Sequence, residues 1–195
     1  MWPCTLPSVK ALVILDAEGS RLAAKYYDTE WYGDYDLYKK MTIDVSRRKS
    51  SQKQQEFERT IYSKTLVSSS SELEAFVLEN NLVVYRTALD FQVYVVASNI
   101  ENEMIVSSVL LAFYSALSLL TGGIMEKHVL LEHFDVCMLA FDEIVDDGVI
   151  LEIDPDSIYQ RVSLHESESD ALGADNPLAQ AFATAREQLS KNLLR

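Results

Sequence analysis

Asp142, Glu143, Asp146 and Asp147 fall within the stretch FDEIVDDGVILE, residues 141–152. Carboxylates this close could bind a hard cation or share a proton as an acid–base pair. A calcium loop of the EF-hand type needs oxygen ligands at alternating positions, then a glycine, then a distant glutamate. The spacing here is different: Asp142 and Asp146 are four apart, as are Glu143 and Asp147. On a helix that spacing makes one charged flank, with Ile144 and Val145 turned to the core and Gly148 as a left-handed C-cap. His128 and His133 are five apart and do not share a helix face with it, so no metal site is expected. Acids at a helix C-terminus oppose the macrodipole at about 0.3–1 kcal/mol each. The expected reading is therefore a solvated acidic face, with a basic partner surface as the functional alternative.

Other chemistry is as sparse. No G-x-S-x-G, Walker or G-x-G-x-x-G pattern occurs, and six glycines leave little material for phosphate-cradling loops. Cys137 sits in an apolar run and reads as a small buried thiol, and Cys4 has no partner at a framework spacing. His128 and His133 have apolar neighbours. No catalytic residue, cofactor or metal is expected. The basic run Arg47, Arg48, Lys49, Lys53 stands beside Ser46, Ser50 and Ser51 and reads as a solvated or docking segment. The net charge of −13 disfavours nucleic acid and direct electrostatic docking on anionic lipid. The opening MWPCTLPSVK lacks the basic region and long apolar core of a signal peptide.

The elements that must position these residues follow from periodicity. Residues 9–15 (VKALVIL) form a nearly continuous apolar run, DAEG is a turn, and RLAAKYY at 21–27 is the returning strand. A strand apolar on both sides implies a sheet covered on both faces. Residues 29–50 are polar and tyrosine-rich and are expected to be a loop insertion. Phe57 and Ile61 predict an amphipathic helix over 51–65. Three strands follow in EAFVLEN, LVVYRTAL and FQVYVVAS. A long helix starts near Asn99 as N-cap and ends at Gly122-Gly123. Its segment 104–120 is the one transmembrane candidate and reads instead as a buried helix. A further helix is expected from Glu126 to Asp147, then a strand-like run and a proline-marked short helix. Residues 165–176 read as an acidic flexible linker, and 177–195 as a C-terminal helix with Leu178, Phe182, Ala185, Leu189 and Leu193 on one stripe. Strand runs followed by helix runs make an α+β domain over 8–164 with an antiparallel sheet between helical layers.

Three stretches resemble the zeta subunits of coatomer, the COPI vesicle coat: VKALVILDAEGSRLAAKYYD (9–28), LVVYRTALDFQVYVVASNIENEMI (82–105) and LLEHFDVCMLAFDEIVDDGVILEIDP (130–155). The middle one is also similar to sigma subunits of clathrin adaptors. The resemblance implies a longin-like fold, a five-stranded antiparallel sheet with one helix on one face and two on the other. It further implies a non-enzymatic small subunit held by the trunk of a gamma-coatomer subunit, in a tetramer with beta and delta. Such a coat reaches Golgi membrane through Arf GTPase bound by its partners and serves retrograde Golgi-to-ER and intra-Golgi transport. A sigma-type adaptor subunit and a longin regulator of small GTPases are the alternatives. The sigma cargo pocket is not carried over, because residues 124–130 lack its asparagine and several other characters. Tyr26, Tyr27, Phe76 and Leu78 are the expected partner contacts, with ordinary core packing as the competing role.

Overall fold

In the computed structural model, residues 6–28, 31, 43–66 and 72–174 are described, with side chains for 6–28, 31, 52–66 and 72–164. Strand β1 (Val9–Asp16) hairpins onto β2 (Arg21–Tyr26), and a meander β3 (Leu73–Leu78), β4 (Asn81–Thr87), β5 (Phe91–Ser98) completes the sheet. The order is β2-β1-β5-β4-β3, every pair antiparallel. β1 and β5 lie inside the sheet, which is why their sequences are apolar without alternation: each face is buried. Leu12 and Ile14 of β1 and Val93 and Val95 of β5 point into one core. Val13 and Leu15, with Tyr94 and Val96, point into the other.

Helix α1 (Ile43–Thr65) covers the second core. Gln54, Phe57, Glu58, Ile61 and Thr65 form its buried stripe, at the three- and four-residue spacing of a core-facing helix. Its polar members are paired: the Thr65 hydroxyl lies 2.8 Å from the Tyr94 hydroxyl and 3.1 Å from Gln92 Oε1. The first core lies under α2 (Glu103–Leu120), α4 (Phe134–Ile144) and α5 (Pro155–Ala174), which pack on one another. Phe113 of α2 stacks on Phe141 of α4 at 4.6 Å between centroids. Among the described residues the result is one helix on one face of the sheet and a helical layer on the other, an α+β longin-like arrangement.

A charged brace locks the turn after β1. Asp16, almost fully buried, accepts from the N–H groups of Glu18 and Ser20 and from Lys127 Nζ at 2.9 Å. Burial alone would push its carboxyl up, but the bonds from Lys127, Ser20 and Glu18 outweigh that and hold it below its ordinary value. Lys127 opens α3 (Lys127–Glu132), and its own N–H donates to Asp90 at 2.8 Å. The helix layer is thereby pinned to one end of the sheet.

Several expectations are corrected. The insertion expected over 29–50 overlaps α1, which begins at Ile43. The basic run Arg47, Arg48, Lys49 lies on its first turns, and these helix-favouring residues support the extension. Trp31, inside the expected loop, is buried against Tyr26 and Phe57. The N-cap of α2 is Asn102, whose side chain accepts from Met104 N–H at 2.9 Å, rather than Asn99. The helix expected from Glu126 to Asp147 is two helices broken at His133, and it stops at Ile144. Residues 165–174 continue α5 instead of forming a linker. Asp154 caps that helix through the Ser157 N–H and hydroxyl, and buried Ile158 and Val162 anchor it. Glutamates and aspartates tolerate the helix once it is nucleated. The helix expected at 177–195 lies outside the described residues.

Candidate interaction surface

The acidic stretch divides between two elements. Asp142 and Glu143 end α4, where Asp142 pairs with Lys25 and Glu143 accepts from Arg161 at 3.4 Å. Val145–Asp146 is instead strand β6, paired with β7 (Val149–Ile150) across a two-residue turn. Asp147 and Gly148 have φ of 47° and 83°, the doubly positive geometry that right-twisted hairpins favour and that Asp-Gly supplies. Gly148 is therefore a hairpin turn residue and caps no helix. Its carbonyl accepts from Val9 N–H at 2.8 Å, which seats the hairpin against the start of β1.

The four residues nominated as partner contacts do not converge. Tyr26 is 5% exposed. Its hydroxyl donates to Glu58 Oε1 at 2.7 Å, and Arg21 pairs with that carboxylate at 2.6 Å. Burial first, then the Glu58 charge, pushes the phenol far above its ordinary range, so it remains a neutral donor. Tyr27 is half-buried and packs on the opposite core from Tyr26. Phe76 and Leu78 sit half-buried on edge strand β3, where Phe76 meets Tyr85 edge-on at 6.0 Å. β2 and β3 are the two opposite edges of the sheet, about 19 Å apart at ~4.8 Å per strand. Between Phe76 and Leu78, Val77 is 57% exposed and points to the other face.

A larger apolar surface lies on the helical side. The sheet-facing side of α2 is closed by Val106, Val109, Leu110, Phe113, Ala116 and Leu117. Its outer side exposes Met104 (74%) and Leu111 (44%), together with Leu119, and Ile100 (85%) stands just before it. Residues 104–125 contain no charged residue at all. A helix packed on a core by one face ordinarily carries charge on the other. Among the described residues α2 is also the one helix long and apolar enough to cross a membrane by composition, yet one whole side of it is committed to the sheet. Where α2 begins, an apolar groove of about 250 Å³ opens between Leu6, Pro7, Ile105, Ser108, Val149 and Ile153. The sequence reading missed this surface because it took the whole of 104–120 as buried. The signal was the missing charge, which a one-sided core helix does not need.

Cys137 is a free, buried thiol of α4, as its apolar neighbours imply. The arrangement thus offers exposed apolar area, paired surface charge and strand edges, which is the chemistry of assembly.

Comparison with known proteins agrees. The family model for the clathrin adaptor complex small chain matches residues 8–169. The chain is 37% identical over 195 residues to coatomer subunit zeta-2 of Arabidopsis thaliana, covering 100% of this chain and 99% of that one. It is 38% identical over 191 residues to coatomer subunit zeta-1 of Homo sapiens, covering 98% and 96%. A chain of the homology model of the full-length AP-3 complex in a stretched open conformation superposes with a TM-score of 0.56 at 13% identity. That match covers 85% of this chain and 98% of the other, and it speaks to the fold alone. The chain belongs to the clathrin adaptor complex small chain family, among the coatomer zeta subunits, and is a small subunit of the vesicle-coat type.

Proposed function

We propose that the chain is the structural small subunit of a COPI coat, clasped by the helical trunk of a gamma-coatomer subunit within a tetramer that also holds beta and delta. The observation that carries this reading is the uncharged, solvent-facing side of α2, which needs a cover. A helical trunk supplies one by packing its own apolar ridges against Met104, Leu111 and Leu119. The β3 edge at Phe76, Val77 and Leu78, together with Tyr27, would add contacts at the sheet. Tyr26 acts from inside by bracing α1 through Glu58 and Trp31. An enclosing interface of this kind buries above ~2,000 Å².

The work of such a subunit is assembly: it holds the trunk in shape and performs no chemistry of its own. With a net charge of −13 it reaches membrane only through its partners, the coat being recruited to Golgi by Arf GTPase for retrograde Golgi-to-ER and intra-Golgi transport. Co-expression with a gamma-coatomer trunk, followed by size exclusion, tests the reading. A stoichiometric complex is expected. Binding to a clathrin-adaptor large chain instead would move the protein to the sigma branch, and binding to neither would overturn the reading.

A further inference from the structure

The groove at the start of α2 has an apolar floor, and the segments that carry its α2 and hairpin residues are acidic. Its floor residues come from three places: the segment before β1, the first turns of α2, and the run from the β6-β7 hairpin to α5. The last two segments, residues 99–108 and 145–156, carry seven carboxylates between Glu101 and Asp156 and no lysine or arginine. Three are held locally, Glu101 by Ser8, Glu152 by Arg161 and Asp154 by Ser157. Glu103, Asp146 and Asp147 are exposed. Leu6 (71% exposed) and Ile153 line the groove and are themselves exposed.

These two features select an occupant. An aliphatic side chain fits the floor, and the volume admits one or two. An acidic segment or a second copy of this chain would bring like charge against these acids. We propose that the groove takes a partner segment with one or two aliphatic anchors flanked by lysine or arginine. Ser108 of the groove and Leu111 lie one turn apart on α2, so a segment seated in the groove runs on toward whatever covers Leu111 and Leu119. That continuity favours a partner chain as the occupant. The acids of 142–152 thereby gain a purpose: Asp142 and Glu143 are paired at home, whereas Asp146 and Asp147 face outward for a basic partner.

The inference rests on the small-subunit reading only for where the segment comes from. A model peptide therefore tests the groove even if the trunk complex fails to form. The probe is a fluorescent helical peptide with leucines at four- and three-residue spacing and lysine elsewhere. Its counterpart carries glutamate in place of lysine. Anisotropy with the full chain should show binding of the Leu/Lys peptide alone, weakened by added salt. Ile153→Asp, at an exposed position, should weaken it about tenfold although it adds a negative charge. Glu103→Lys with Asp146→Lys should also cost about tenfold, whereas Glu56→Lys with Glu132→Lys, the same charge change elsewhere, should cost less than about twofold. Circular dichroism identical to the unmodified chain secures each variant. Equal losses for the two charge pairs, or tighter binding on Ile153→Asp, would show unspecific attraction to an acidic protein and overturn the proposal. If Leu189→Asp tightens peptide binding about tenfold, the groove already holds residues 177–195 of this chain. If Ile153→Asp instead dissolves a dimer in sedimentation, a second copy is the occupant. Either result overturns the choice of partner.

Discussion

Replacing Gly148 by alanine separates two costs that usually arrive together. At φ 83° an L-residue is strained wherever it has room, and here it has none: a Cβ would stand 2.9 Å from the Val9 carbonyl oxygen. That carbonyl belongs to the strand whose N–H is bonded to Gly148, so it cannot retreat without parting the hairpin from β1. Gly122 is the matched control, with φ 64° and nothing within 4 Å of its Cβ. Left-handed backbone costs an alanine about 1 kcal/mol, and this is all that Gly122→Ala should lose. Displacing a packed backbone adds about 1–3 kcal/mol, so Gly148→Ala should lose about 2–4 kcal/mol. For a chain this size each kcal/mol moves the midpoint by about 2–4 °C. Urea and thermal unfolding followed by circular dichroism would measure both. Gly148→Ala should also weaken the Leu/Lys peptide, since the hairpin supplies Val149 to the groove. Equal shifts for the two glycines would refute the close approach and with it the seating of the hairpin.

Asp16 should make stability depend on acid. Its folded value lies below the 3.8 of the free side chain, so its contribution is full above that pH and is lost as pH falls through the lower value. Asp16→Asn should cost about 1–3 kcal/mol at neutral pH, and urea midpoints taken down the acid limb should converge with those of the unmodified chain. A gap that stays constant would deny the Lys127 brace. Burial, then the charge of Asp135, pushes the Cys137 thiol up to about 12. Iodoacetamide at mildly alkaline pH should therefore alkylate it orders of magnitude more slowly in the native chain than in urea, as peptide mapping would show. Leu111→Asp, on the outer side of α2, should change stability by less than about 0.5 kcal/mol and abolish co-purification with a gamma trunk. A complex that survives it would place the interface elsewhere.

The sheet was legible because burial on both faces leaves no choice of residue. VKALVIL and FQVYVVAS are apolar apart from Lys10, Gln92 and Ser98 and do not alternate, the pattern of interior strands in a covered sheet. The helix over Phe57 and Ile61 was legible for the opposite reason, a single stripe on a polar cylinder. Its start was not, since nothing in residues 43–51 alternates and helix propensity alone extends it. Trp31 was hidden because a lone aromatic in a polar run carries no period, although it fills the space between Tyr26 and Phe57.

The acidic stretch shows why a period can mislead. Leu130, Phe134, Cys137, Phe141 and Ile144 recur as a helix requires, and the count runs on smoothly through Val145 to Asp147. Local chemistry decides otherwise: Asp-Gly is a strong two-residue hairpin signal, and Val145 and Ile150 are β-branched partners across it. Once the chain turns there, Asp146 and Asp147 leave the flank they would have shared with Asp142 and Glu143. The same turn carries Val149 and Ile150 to the start of α2, where they help form the groove. A helical continuation would have left four acids in one patch opposing a dipole. The hairpin instead sets two of them beside an apolar floor, and that juxtaposition turns an electrostatic burden into a means of selecting a partner.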